Sequence, residues 1–590
     1  MGLSSTTPQS CVHEPSPLDQ RCDGYIHDQA ALNPLLALTW GLGEPTGQLP
    51  DYSPAGYAAA ADLTRSFLAD VDVLVPSRPG AAPPVSANDA VTAAAVRNRE
   101  QLELDLDAAG ENLRQLNNIA SPLQEVRDSF DMLPRKTYAD WEVLTTQALN
   151  VSPALDDYRR SLSLAASRGQ VAAQRQVRRA ADQAQKLADI SNEDSFFAQL
   201  RSECATSAPG LVEAVESATA QAAASYGQLS QWLRQDLLPL APEADAIGVG
   251  DEGRERYQKL TELFIGTRVD LEETYQWGLE ELERIDAHQR RIAAELFGAG
   301  TSVRQALQQL NEDPQLQVHG TDALKEWMQS TADRAIADLN GTEFNIPEPL
   351  RTIECLIAPS GEGGIYYTEP SMDFSRPGRM WWAVPPSENV FHLWQERTTV
   401  YHEGVPGHHL QIGTAISRGA ELNLWRRVGA WNSGYGEGWA LYAEQLMVEL
   451  GYQRELPDLM GVWDAQRLRA ARVALDIGVH LGLPRPDGVG VWDADFAAQF
   501  LRENVAMSEG FLDFELDRYL GWPGQAPSYK VGQRLWNDLR ADFLRQVTPE
   551  LSASEGRRIF HSRALGLGAL PMDTLRTALL GDAAGPGVTL

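Results

Sequence analysis

Three of the ten histidines in this chain fall between positions 402 and 409, and a proline-glycine pair stands between the first and the other two. The stretch reads Tyr401-His402-Glu403-Gly404-Val405-Pro406-Gly407-His408-His409-Leu410-Gln411. A His-Glu pair followed by another histidine on a helix is a common way to present two imidazoles and a general base to one metal ion. The usual second histidine comes four residues after the first, and here that place is held by Pro406. On an ideal helix His408 would point about 120° away from His402, and His409 would share its face but lie about 10 Å further along the axis. A regular helix therefore cannot deliver both rings to one ion. Proline removes a backbone donor and clashes with the preceding turn, and glycine tolerates the resulting bulge. The expectation is a distorted helix that swings His408 back beside His402.

The rest of the composition sets bounds. A length of 590 residues allows about two to four domains, or one large helical body. A formal net charge of −31 makes nucleic acid and anionic membrane poor partners. Cys11, Cys22, Cys204 and Cys355 form no close pair, which fits neither a cysteine zinc cluster nor a disulfide scaffold. The opening residues lack a basic segment followed by an apolar core, and no apolar run is long enough to span a bilayer. These features predict a reduced, cytoplasmic protein.

Along the chain, residues 1–20 are polar and read as loose, and 21–75 alternate short helices with Gly/Pro turns. Pro76 to Pro84 is a Pro/Gly-rich break. Helical patterning covers Asp89 to about Ser129 and 137–236, including Ala166 to Ile190 and Leu211 to Leu237. A connection near 237–250 separates an expected N-terminal helical scaffold lobe, 1–245, from a catalytic helical lobe, 246–590. Helices follow at 254–298, with an interruption, and at 321–339. Residues 353–385 change texture: Tyr366-Tyr367 and Met380-Trp381-Trp382 lie between glycines and prolines and predict short strands. A small β-sheet there, beside the histidine helix, could pair with an extended peptide, with Tyr366 and Tyr367 as substrate-binding candidates. Beyond the histidines the pattern is helical to about 520, and again from a Trp522-Pro523-Gly524 turn to Leu580.

Catalytic zinc usually takes three protein ligands. Glu437 opens a helical segment 35 residues after His402, a gap that lets one helix end and a second return antiparallel; glycines on both sides of it favour close approach. Glu444, seven residues on, shares its face and serves as a reserve ligand or a support for one. Glu403 is the candidate general base, taking a proton from the attacking water and passing it to the leaving amine. Arg472, Asp476 and His480 recur every fourth residue on one helix face, so Asp476 could orient His480 toward a developing oxyanion. Tyr529 could do the same with its phenol, and Arg518 or Lys530 could hold a substrate carboxylate.

Four runs in order, His402–Gln411, Glu437–Glu444, Arg472–His480 and Pro523–Gly532, together resemble the bacterial family first catalogued as domain of unknown function 885. That family is similar to helical gluzincin peptidases such as thimet oligopeptidase, carboxypeptidase Taq and angiotensin-converting enzyme. The resemblance implies a mainly α, two-lobed helical body with a deep central cleft and one zinc ion on its floor. It implies His402, His408 and Glu437 as metal ligands, Glu403 as base, and His480 or Tyr529 on the oxyanion. Those peptidases keep the four-residue histidine spacing and this chain does not, so the second ligand stands open between His408 and His409. The function so implied is zinc-dependent hydrolysis of short peptides. A metal-dependent hydrolase of a non-peptide amide or ester, and a non-catalytic helical binding protein, are the alternatives.

Overall fold

The computed structural model describes residues 14–76, 85–358, 364–385, 387–547 and 551–581. Nearly all of the expected Pro76–Pro84 break, Cys11, Gly361, Gly363 and the Gly-rich tail lie outside the described residues. The architecture is mainly α, with two small sheets.

Several of the first helices share one local device. Ser16, Asn33 and Ser53 each accept a backbone N–H from the first turn, and a proline follows each of them at the first helical position. The cap satisfies an otherwise orphaned donor, and proline sets φ where no donor is required. The helices so started, Pro17–Leu32, Pro34–Thr39 and Pro54–Leu74, pack with Ala87–Ala108. Leu18, Cys22, Ile26, Phe67 and Val96 of this group join one core with Val400, Tyr401, Trp439 and Trp536 from the far half of the chain. A second core holds Trp141, Tyr158, Phe197 and Tyr226. The expected Ala166–Ile190 helix is two: Tyr138–Ser167 ends at Gly169, whose φ of 73 reverses the chain, and Gln174–Ala188 starts anew. The interruption expected within 254–298 falls at Gly266, between Gly250–Ile265 and Leu271–Phe297.

The expected strands form a three-stranded sheet, preceded and followed by the strands of a short ladder. In chain order the strands are β1 (Gln317–His319), β2 (Ile353–Ile357), β3 (Ile365–Thr368), β4 (Gly378–Trp382) and β5 (Val390–His392). β4 is central, parallel to β2 and antiparallel to β3, while β1 and β5 pair antiparallel. Alternation along β4 buries Gly378, Met380 and Trp382 and turns Arg379 and Trp381 to the other face, where Arg379 pairs with Glu354.

Two helices important to the site, Ser433–Glu449 and Ser528–Val547, run side by side on glycine. A Cβ on Gly438 would lie 2.5 Å from the Gly532 backbone, and one on Gly532 would lie 2.5 Å from the Gly434 carbonyl oxygen. No larger residue fits without parting the helices. Gly532→Val is therefore expected to destabilise the fold by roughly 2–3 kcal/mol through overpacking, while Gly510→Ala, with open space around it, should be neutral or slightly stabilising. Denaturant midpoints of the two variants against the parent check this, and equal midpoints would refute it.

Two histidines belong to the core. His561 stacks on Phe344 at 4.5 Å and shares a 2.7 Å hydrogen bond with the Tyr442 hydroxyl; burial pushes its pKa down to about 3. His480, wholly buried, bonds through Nε2 to the Tyr519 carbonyl at 3.0 Å, and burial lowers it to about 4. Both rings stay neutral in the fold but titrate near 6.5 in the unfolded chain. Their contribution is complete above about pH 6.5 and is lost as pH falls toward the folded values, by about 1.4 kcal/mol per pH unit for each ring. Ring NMR should show the His480 and His561 imidazoles still neutral at pH 5; titration of both rings near 6.5 would refute the assignment.

Candidate metal centre

The histidine stretch is two helices. Leu393–Glu403 ends at Gly404, and His408–Ser417 begins immediately after Gly407. This corrects the expectation of a single distorted helix. The turn is closed by Gly404 N–H to the Val400 carbonyl at 2.9 Å and by Gly407 N–H to the Tyr401 carbonyl at 3.0 Å. A Cβ on Gly407 would collide with the His402 carbonyl, so this doubling back requires glycine. Met380 of β4 lies against Gly404, and Trp439 donates its indole N–H to the Pro406 carbonyl at 2.8 Å. Sheet, turn and the Ser433–Glu449 helix are thereby fixed to one another.

The turn sets the His402 and His408 rings edge to face, with centroids 4.9 Å apart. Glu437, on the first turn and a half of Ser433–Glu449, brings Oε2 to 3.2 Å from His402 Nε2 and 3.6 Å from His408 Nε2. These three residues form a group able to hold a metal ion, their donor atoms all within 4.8 Å of one another. Both histidine side chains are nearly buried, while that of Glu437 is 17% exposed, so solvent reaches the group from the carboxylate side. On its other side His402 donates Nδ1–H to Glu444 Oε1 at 2.7 Å, and the second Glu444 oxygen accepts from Thr398 at 2.7 Å. This arrangement turns Nε2 of His402 toward Glu437.

Charge and burial oppose each other here. Burial alone would lower the His402 pKa, but Glu437 and Glu444 outweigh it and hold the ring well above its ordinary value. Burial would raise the Glu437 carboxyl, but its hydrogen bonds to His402 and His408 keep it well below the usual range. Glu403 goes the other way: burial raises its carboxyl, and the two histidines recover only part of that shift.

His409 turns away from this group. Its Nδ1 accepts from the Tyr367 hydroxyl at 2.9 Å and its Nε2–H donates to the Leu350 carbonyl at 3.0 Å; burial lowers its pKa to about 4. Both ring nitrogens are used, and between the two histidines left open by the sequence it is His408 that lies beside His402 and Glu437. Tyr367, expected to touch substrate, instead fastens His409. Tyr366 is 39% exposed and stacks on Trp381.

Two further expectations need correction. Asp476 does not orient His480: it accepts from the Tyr257 hydroxyl at 2.6 Å and the Gly524 N–H at 3.0 Å, and burial raises its pKa to about 7. His480, tied to Tyr519 in the core, faces no developing charge. Lys530 is buried and spent on Glu281 at 2.9 Å, Gln533 at 2.7 Å and Gln466, leaving no ammonium for a substrate carboxylate. Arg518 pairs with Glu515 at 3.1 Å, donates to Gln525 at 2.9 Å and lies 3.5 Å from the Tyr529 hydroxyl. The Arg472 guanidinium sits 3.9 Å over the Tyr529 ring. Thr398 and Trp439 escaped the sequence reading; Thr398 stands one turn before His402, a polar residue on the same face, and that was the available signal.

No curated protein matches the chain. Among solved structures, a candidate lipoprotein from Colwellia psychrerythraea superposes with a TM-score of 0.79 at 22% identity, covering 95% of this chain and 98% of its own. A candidate lipoprotein of unknown function from Shewanella oneidensis does so with 0.70 at 16% identity, covering 96% and 100%. These likenesses show the shared fold. They also overturn the cytoplasmic expectation, since both proteins of this fold are described as lipoproteins. No helix among the described residues is long and apolar enough to cross a membrane. A Pyrococcus furiosus carboxypeptidase in an apo-Mg form aligns over 97% of each chain at 12% identity and a TM-score of only 0.37, too loose to carry any inference. The family described as bacterial protein of unknown function (DUF885) matches residues 34–579, and the chain belongs to it.

Proposed function

We propose that the protein is a metal-dependent peptidase of short peptides, with zinc held by His402, His408 and Glu437 and with Glu403 as general base. The observation that carries this reading is the convergence of two imidazole Nε2 atoms on one carboxylate, with Glu444 holding the far nitrogen of His402. Two nitrogens and one oxygen from three residues, leaving room for a fourth ligand, is the donor set of a catalytic rather than a closed structural zinc site. A carboxylate behind a ligating histidine fixes its tautomer and raises its basicity. The separations of 3.2 and 3.6 Å agree with the spacing of about 3.3 Å between ligands of a tetrahedral zinc ion. Zinc at such a site supplies Lewis acidity and acidifies water.

The remaining steps fall to the chain's own residues. Glu403, buried beside the histidines and with its carboxyl raised by burial, is suited to take a proton from water and return it to the departing amine. Tyr529, its ring held under Arg472 and its hydroxyl near Arg518, is the remaining candidate donor to the oxyanion. Arg518 is the remaining candidate for a substrate carboxylate.

Metal analysis of the purified protein, paired with cleavage of a mixed short-peptide library, tests the reading. One bound metal and cleavage reduced about 10²–10⁴-fold by Glu403→Gln, with metal retained, is the expected result. Metal without cleavage of any peptide would move the reading to a non-peptide amide or ester; absence of metal after zinc addition would remove it. Glu444→Gln, which leaves the ligands in place, is expected to weaken metal binding about 10–100-fold, measured by competition with a chelator.

A further inference from the structure

We propose that a second site, built between the N-terminal helices and the Trp425–Trp431 segment and distinct from the metal group, binds an organic cation: a guanidinium or primary ammonium on a short apolar stem. It is a cavity of about 380 Å³ bounded by the helices Pro17–Leu32, Pro34–Thr39, Pro54–Leu74 and Ala87–Ala108 and closed by the Trp425–Trp431 segment. That volume is in the range of small-molecule pockets, about 300–1,000 Å³.

The lining chooses the ligand. Aromatic rings of Tyr25, Trp40, Trp425 and Trp431 stand around the cavity, and a cation over such faces is attracted by their quadrupoles. Among the described lining residues the acids are Glu100, Glu103 and Asp107, and the one base, Arg99, is already paired with Glu103 at 3.1 Å. An anionic ligand would meet net repulsion.

Glu100 is the decisive residue. Its side chain is about 6% exposed, and its two oxygens accept from the Tyr25 hydroxyl at 2.7 Å and the Trp425 indole at 2.8 Å. Both donors are neutral. Arg99 acts on this carboxylate from the next position but is paired with Glu103 and offsets only part of the cost of burial, and a cation in the cavity would supply the rest. Those two donors come from different elements, the Pro17–Leu32 helix and the Trp425–Gly429 segment, and all three residues line the space. Burial raises its carboxyl, and a bound cation would reverse that.

The site also adjoins the metal helix. Trp431, 40% exposed on the cavity rim, packs where a Cβ on Gly436 would sit, and Gly436 precedes Glu437. Asn432, the next residue, caps that helix through Tyr435 N–H at 2.9 Å. An occupant would thus press on the element that presents Glu437. A basic group at one end of a peptide and a free amine metabolite share this chemistry.

Calorimetry on the full-length protein with argininamide and with its isostere citrullinamide, every ligand Nα-acetylated so that only the side chain can carry charge, tests the proposal, whether or not any peptide is cleaved. The expected result is one site for argininamide, at least tenfold weaker binding of citrullinamide, and at least fivefold weaker argininamide binding in both Glu100→Gln and the solvent-accessible Glu103→Gln. Where Glu100→Gln fails to fold, Glu103→Gln decides. Equal binding of the two amides, no binding at all, or affinity unchanged by Glu103→Gln would overturn the proposal. Arginyl dipeptides binding more tightly than argininamide would identify the source as peptide, and equal affinity would identify it as a free amine.

Discussion

Much of this structure depends on a buried carboxylate, Glu444, bonded at both oxygens. It receives His402 Nδ1–H and the Thr398 hydroxyl, both from the Leu393–Glu403 helix, while its own backbone belongs to Ser433–Glu449. A charge at 1% exposure costs several kcal/mol in lost hydration. It persists only where its partners are held in place, and this explains how much of the surrounding sequence is given to rigidity. Trp439 pins the turn, and Gly438 and Gly532 let the Ser528–Val547 helix press against the helix of Glu444. Loosening any of these would leave a buried charge short of its partners, which is more costly than losing the contact itself.

A good part of the site was legible because its chemistry sits in short runs. His402, Glu403, His408 and Glu437 announce themselves by residue type, and the Pro406-Gly407 pair says that the helix cannot continue. The choice between His408 and His409 was not legible, because it depends on where the second helix restarts. A restart at His408 turns the two rings about 100° apart, sending one to Glu437 and the other to Tyr367 and Leu350. His480 and Lys530 were misread for a related reason. Periodicity places Arg472, Asp476 and His480 on one face but does not say what that face meets, and it meets Tyr257, Gly524 and Tyr519. A lysine near a turn reads as exposed, yet Glu281 lies some 250 positions away in sequence and takes it into the core. The helices themselves were well marked by caps and prolines, as at Ser53-Pro54. The errors arose where a break was a single glycine, as at Gly169.

The histidine spacing now has a physical meaning. In the four-residue arrangement one helix fixes both imidazoles, and the distance between them follows from helical pitch. Here the two rings belong to different helices joined by a four-residue turn, and their separation follows from that turn and from whatever clamps it. The clamp is Trp439 on the Pro406 carbonyl, with Met380 of the sheet behind Gly404. Since Trp439 and Glu437 share a helix, one rigid element sets both the turn and the third member of the group. Displacing that helix would carry Glu437 and the turn with it and at the same time draw Glu444 away from His402, which stands on the Leu393–Glu403 helix. The small β-sheet contributes no donor and reaches the group through Met380 against Gly404. The metal group therefore depends on the Ser433–Glu449 helix at three points, Glu437, Trp439 and Glu444, and on the sheet at one.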